Sequence, residues 1–335
     1  MSWTRVFRRA GRRTNAALLL LCGGAFLTGW LAFASGTPTP ATLSTVAHGL
    51  FGLGVVALAP WKSVIVLRAK LIPVAAWALI VLTVVCLAAG FGQFLVGYHI
   101  VAGLSPIQVH VGAALIAVPV FAWHVLRRRP QRLRRADLSR RSLLRTGAFT
   151  MAAGAGYLGL VSAARWTRGS VGRVSTGSGR IPAADIPATI WLLDRVPDLD
   201  PAAHRVEVSG QSVSVAELAA QAQPVLARLD CTSGWYAQAT WTGVPLSDLI
   251  APERLAGAHS IQVTSVTGYT RRFGVAEAAD LWLVTGCEGQ PLSAGTGAPV
   301  RLVAPGHRGF WWVKWVASVR LSERAAWAQL PFPPQ

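Results

Sequence analysis

The sequence predicts a multi-domain chain: an all-α transmembrane helical bundle followed by an α+β domain. Three observations carry this. Of 335 residues, 52% are hydrophobic and only 14% charged, too apolar for a purely soluble chain of two-domain length. The basic residues gather in alternate loops between long apolar runs. From Arg165 onward those runs shorten to β-type segments broken by Gly and Pro.

Hydropathy places spans at about 15–35, 44–60, 71–95, 108–126 and 146–164, each near the ~17–25 residues that cross a bilayer. Arg5, Arg8, Arg9, Arg12 and Arg13 precede the first run, and Lys62, Arg68 and Lys70 separate the second from the third. Nine arginines, Arg127 to Arg145, separate the fourth from the fifth. Together these are 17 of the 32 basic residues, opposed only by Asp137. The loops Gly36 to Leu43 and Val96 to Gln108 carry no Lys, Arg, Asp or Glu. By the positive-inside rule the N-terminus is cytoplasmic, and the fifth span delivers the C-terminal domain to the extracytoplasmic side of the cytoplasmic membrane. The expected division is 1–135, four transmembrane helices; 136–165, a signal-like segment and fifth anchor; and 166–335, the exported domain. The net charge of +18 belongs to the loops. From Arg165 onward there are 15 basic and 13 acidic residues, which argues against nucleic acid as a partner.

Ser139-Arg140-Arg141-Ser142-Leu143-Leu144-Arg145 resembles a twin-arginine export signal lying in mid-chain. The resemblance implies a domain exported already folded, usually around a cofactor, and the twin-arginine machinery as a partner. The plainer alternative is an arginine pair in a cytoplasmic loop.

Ionisable residues inside spans are functional candidates by default. His110 and His124 are 14 residues apart on the fourth span. On a helix that is about 40° short of four turns and roughly 21 Å of rise, so both face one way. The spacing resembles the fourth-helix pattern of quinol-linked b-type cytochromes. His48 enters the second span at the depth of His110, so these two are the expected iron ligands of one b haem. His124 is a candidate for a second, and His99 a reserve near the outer face. Gly49, Gly52, Gly54 and Gly112 are expected to admit the macrocycle. Plain interhelical hydrogen bonding is the competing reading.

In the exported part, 205–208, 260–264, 281–284, 300–303 and 311–319 read as strands, and 215–221 and 245–250 as short helices. Lys314 interrupts the apolar run Phe310 to Val316, and a buried ammonium must be paired. A head that snorkels to solvent is the alternative. Cys22 and Cys86 fall in spans as small packing residues. Cys231 and Cys287 share the exported domain, where a disulfide competes with a metal-ligand role for Cys231.

Cys231-Thr232-Ser233-Gly234-Trp235-Tyr236 and Trp241-Thr242-Gly243-Val244-Pro245-Leu246 resemble the molybdenum-ligand segment of the sulfite oxidase family. Gly268 to Phe273, Gly297 to Val303 and Gly306 to Val316 come next in the same order, so the similarity covers roughly residues 185–322. The resemblance implies a molybdopterin domain with Cys231 as thiolate ligand to molybdenum. It also implies Arg301 and Lys314 as cations for the pterin's anionic end, Arg308 as a third, and close backbone approach at Gly306 and Gly309. Two departures stand out. Gly295-Thr296-Gly297 replaces a Gly-His-Gly, and Leu193-Asp194-Arg195 replaces an Arg-Asn-His cluster, with Arg195 restoring part of the lost positive charge.

The expected protein is a membrane-anchored molybdenum oxidoreductase. It transfers oxygen atoms outside the membrane, exchanges electrons with the quinone pool through the b haem, and reduces small sulfoxide-like substrates. Sulfite (oxo-anion) oxidation and a metal-free, degenerate binding module are the alternatives.

Overall fold

The computed structural model describes residues 11–68, 73–128, 140–168, 174–190 and 194–332. It divides into a helical unit that ends at Gly177 and a β-rich unit that begins at Ser178 and takes in Ala34–Pro38.

Among the described residues five helices build the first unit: α1 (Arg12–Ala34), α2 (Pro38–Leu67), α3 (Val74–Leu95), α4 (Pro106–Arg128) and α5 (Arg140–Arg168). The apolar stretches of α1 to α4 run 23, 29, 22 and 22 residues and are long enough to cross a membrane. The second exceeds the expected 44–60 at both ends. In α5 the apolar stretch is 17 residues, Gly147–Ala163, at the short limit for a crossing. This helix starts at Arg140, so the arginine pair opens it, whereas Ser139 lies outside the described residues.

Small residues let these helices meet. A Cβ at Gly24 would stand 2.5 Å from the Phe51 ring, and one at Gly54 would stand 2.7 Å from Leu21, so α1 and α2 interlock at two points. Gly49 likewise accommodates Tyr157 of α5 at 2.5 Å. The expectation that Gly49 and Gly54 admit a macrocycle is therefore corrected, because neighbouring side chains fill both positions. Gly52 and Gly112 do face open space. Pro60 and Pro119 sit inside α2 and α4, and Pro119 lies between His110 and His124 on a helix that runs unbroken from Pro106 to Arg128.

The second unit holds two sheets. Strands β1 (Gly179–Arg180), β4 (Gln223–Cys231), β5 (Trp235–Pro245), β8 (Trp282–Cys287), β9 (Gln290–Pro291) and β10 (Arg301–Val303) form one. The other runs β3 (Gln211–Ser214), β2 (Arg205–Val208), β11 (Val316–Ser322), β6 (Ser260–Ser265), β7 (Thr270–Gly274) in that order. Three short helices accompany them, α6 (Val215–Ala220), α7 (Leu246–Leu249) and α8 (Pro252–Ala256). Ser214 and Glu217 close a full capping box on α6.

The first sheet is organised by the β4–β5 hairpin. Its pairing runs unbroken from Gln223↔Gly243 to Cys231↔Trp235. Gly234, at φ +90°, closes the turn and donates its N–H to the Cys231 carbonyl at 3.1 Å. Trp235, Trp241, Leu283, Leu302 and Trp315 are fully buried, so the large aromatics around the hairpin make the core.

One expected element differs. Residues 311–319 do not form a single strand. A 3-10 turn occupies Gly309–Trp311, and β11 begins only at Val316, after Trp315 at φ +53°. Lys314 therefore sits in the irregular link before the strand, where no ladder fixes its side chain to a sheet face.

Candidate functional site

Cys231 ends β4. Its residue is only 7% exposed, and the Ser233 N–H points at Sγ from 3.5 Å. The thiol is free, as is that of Cys287. The register explains why no disulfide forms: Cys231 lies opposite Trp235, whereas Cys287 lies opposite Trp241. Six residues of β5 separate the two levels, about 20 Å of extended strand.

Three buried cations lie within electrostatic reach of this thiol, each anchored differently. Arg301 opens β10 and is 2% exposed. It donates from one terminal nitrogen to the Thr296 carbonyl at 2.9 Å and lies over the rings of Trp241 and Trp312 at 5.2 and 5.6 Å. Its Nε is buried without a hydrogen-bond partner. Burial pushes its pKa down to about 10, opposed by Cys231 and Cys287.

Lys314 donates from Nζ to the carbonyls of Thr189 at 2.7 Å and Gly295 at 2.6 Å. Burial lowers its pKa to about 7, with Arg301 pushing the same way and Cys231 and Asp194 opposing. The snorkelling alternative is thereby replaced: the head group is tied down by backbone oxygens.

Arg308 differs from expectation. Its Nε stands 3.7 Å from Asp230, both side chains being under 10% exposed. Asp230 also accepts from the Ser178 hydroxyl at 2.6 Å. Burial lowers the Arg308 pKa, with Asp230 and then Cys231 opposing. As a third cation it is thus substantially neutralised by the residue directly before Cys231.

The loop 293–297 does work that its sequence does not advertise. Three successive carbonyls, of Ala294, Gly295 and Thr296, accept from Trp315 Nε1, Lys314 Nζ and the Arg301 guanidinium. Thr296 turns its hydroxyl to Ser293 and its carbonyl to Arg301. Gly297 comes next at φ +116°, where a Cβ would meet the Cβ atoms of Arg301 and Lys314 at 3.2 Å each. Glycine there lets both cations converge.

Gly306 and Gly309 have separate reasons. Gly306 adopts φ +83° with open space at its Cβ position. A Cβ at Gly309 would meet Leu229 at 3.0 Å, the Asp230 carbonyl at 3.2 Å and Cys231 Cα at 3.3 Å. That glycine serves the packing of the 3-10 turn beneath the thiol. Arg195 is exposed, its backbone N–H bonded to Asp194.

Asp230, Ser178 and the His307–Glu277 pair do not stand out in the sequence motifs. Asp230 had a signal, a carboxylate inside a strand that is otherwise largely buried. His307 donates from Nε2 to Glu277 at 2.5 Å and stacks on Trp311 at 4.9 Å. Nothing local in the sequence pairs residues thirty positions apart.

In the helical unit, His48 and His110 are neighbours, with ring centroids 5.6 Å apart and planes at 87°. His48 Nδ1 donates to the Ala25 carbonyl at 2.8 Å, and His110 Nδ1 to the Cys86 carbonyl at 2.7 Å. His99 instead bonds the Gly97 carbonyl within its own loop. His124 lies toward the far end of α4, near Trp123, over which Arg127 stacks at 4.2 Å.

A buried thiol, with buried cations close to it and an unsatisfied donor among them, is an arrangement that could hold an anionic cofactor. Residues 194–329 match the family described as oxidoreductase molybdopterin binding domain. The protein-methionine-sulfoxide reductase catalytic subunit MsrP of Xanthomonas campestris pv. campestris is 31% identical over 155 residues, 37% of this chain and 48% of that protein. Its namesake in Xanthomonas axonopodis pv. citri is 31% identical over 126 residues, 31% of this chain and 38% of that protein. The crystal structure of the sulfane dehydrogenase SoxCD from Paracoccus pantotrophus aligns with a TM-score of 0.35 at 22% identity, covering 39% of this chain and 41% of that one. This chain spans at most about half the length of the curated relatives it matches.

The β-rich unit therefore matches a molybdopterin-binding oxidoreductase domain.

Proposed function

We propose that this protein is a membrane-anchored enzyme that reduces small sulfoxide-like compounds on the extracytoplasmic side, using electrons drawn from quinol through a b haem. The observation that carries the reading is a buried Cys231 thiol within electrostatic reach of Arg301, whose Nε is sealed from water without a partner. An orphaned buried donor on a cation costs free energy until an anion satisfies it. A metal held by Cys231 would take its remaining ligands from the pterin. The residues fit that group.

Cys231 supplies the protein sulfur to molybdenum. Arg301 and Lys314 hold the anionic end of the pterin, each pre-oriented by a carbonyl of the 294–296 loop. Arg308 pairs with Asp230 and so adds little net charge beside Cys231. Gly306 and Gly309 shape the backbone around them. When bound, the molybdenum centre supplies two-electron oxygen-atom transfer, and the protein supplies position and field. Reducing a sulfoxide to a sulfide and water consumes two electrons and two protons, so a one-electron relay must act twice per turnover.

The relay is the His48–His110 pair. Each Nδ1–H is committed to a backbone carbonyl, which leaves Nε2 as the lone-pair nitrogen for iron. His124, at the other end of α4, is the candidate ligand for a second, inner haem. Basic residues gathered in alternate loops, and so on one side of the helices, support a cytoplasmic N-terminus, and α5 with its leading arginine pair serves as both export signal and anchor.

The test is twofold. Purified protein should contain about one molybdenum per chain. Its reduced haem should be reoxidised by a sulfoxide, but not by sulfite. The b-type band should vanish in His48→Ala and His110→Ala yet survive in His99→Ala. Reoxidation by none of a panel of sulfoxides and N-oxides would remove the substrate class from the proposal.

A further inference from the structure

The two membrane histidines are seated by one device used twice. The His48 ring of α2 rests on Gly29 of α1, where a Cβ would stand 3.0 Å from both Cε1 and Nδ1. Its Nδ1 donates to the carbonyl four residues earlier, Ala25. The His110 ring of α4 rests on Gly90 of α3, where a Cβ would stand 2.9 Å from Nδ1 and 3.1 Å from Cε1. Its Nδ1 donates to Cys86, again four residues before the glycine.

The geometry explains the repeat. A carbonyl at position i−4 of a helix lies beneath residue i and already accepts that residue's N–H. An imidazole reaches it as a second donor only if residue i has no side chain. Glycine therefore sets both how close the ring comes and which way it turns about its own axis. Because α1 and α3 each fix one ring independently, the angle between the rings is a property of the helix packing. That angle is 87°.

We infer that Gly29 and Gly90 are positioning residues that hold the His48 and His110 imidazole planes crossed, the orientation in which the two rings would meet a haem iron. The inference rests on the haem reading above and deepens it. Crossed and coplanar bis-imidazole ferric haems are distinguishable without turnover. Crossed planes bring the iron d orbitals close in energy and give a strongly anisotropic low-spin signal with a large maximum g value. Coplanar rings give a rhombic one.

The experiment is electron paramagnetic resonance on the oxidised full-length protein in detergent, with the optical haem spectrum recorded on the same samples. Wild type should give the large-g signal. Gly29→Ala and Gly90→Ala should each lose most of it, to a rhombic signal or to a high-spin haem with one histidine displaced. Gly23→Ala on α1 and Gly92→Ala on α3 are matched controls, since nothing lies within 4 Å of a Cβ at either position; both should keep the wild-type signal. A rhombic wild-type signal overturns the inference while leaving the haem in place. So does a signal unchanged in both seat variants, or one equally altered in the controls. Purified protein without any b-type band would overturn the haem reading itself.

Discussion

Cys231 and the two cations within its electrostatic reach are where single substitutions speak most plainly. Cys231→Ser changes one buried atom, so the fold should persist with little change in Tm. Turnover should nevertheless fall by about 100-fold or more, since loss even of groups that merely orient metal ligands costs 10–100-fold. Lys314 makes a pH prediction for the cofactor-free domain. Its folded pKa of about 7 lies below the ordinary lysine value of 10.5. Between those values the unfolded chain binds a proton that the folded chain does not, so stability rises with pH across that window. Thermal melts of cofactor-free protein should show this rise, and Lys314→Met should flatten it. Cofactor retention should run the other way, because the cation that grips an anion is lost as pH climbs. The motifs make Cys231, Arg301 and Lys314 legible in the sequence. The neutralisation of Arg308 is not, because it depends on Asp230 sharing the same interior, which no spacing announces.

Elements fix these side chains, and two glycines report how tightly. Gly309→Val would drive a side chain into Leu229 and the backbone of Asp230 and Cys231. Overpacking of this kind costs about 1–3 kcal/mol, and molybdenum content should drop with it. Gly243 lies at the irregularity where β5 passes β8, and a Cβ there would stand 2.2 Å from the Leu283 carbonyl oxygen. Because backbone cannot yield as a side chain can, Gly243→Ala should reach or exceed the ~3 kcal/mol end of that range. Urea melts of the two variants check the order. Strands at 205–208, 260–265 and 301–303 are readable from β-branched runs. The β4–β5 hairpin shows in the sequence as a motif rather than as strands, because most of β5 is buried, which weakens the two-residue alternation. Residues 311–315 err the other way. Their tryptophans have strand propensity, yet Trp315 at φ +53° and the 3-10 turn before it break the extended run. Aromatic burial there imitates pleating.

At the scale of the whole molecule, four membrane-length helices and a molybdopterin domain share one chain. Composition foretells that division, because the charge asymmetry and the shortening of apolar runs change at the same place. The fifth span is less legible. The helix is there, but its apolar stretch of 17 residues is shorter than those of the four membrane-length helices. Changing Arg140 and Arg141 together to lysine should leave the C-terminal domain in the cytoplasm, protected from protease added to spheroplasts; unchanged digestion would argue for another route.

X-ray absorption at the molybdenum edge tests the central claim most directly, because it counts the sulfur atoms bound to the metal. Cys231→Ser should show one sulfur neighbour fewer than wild type. An identical sulfur shell in the two proteins would mean that Cys231 is not the ligand.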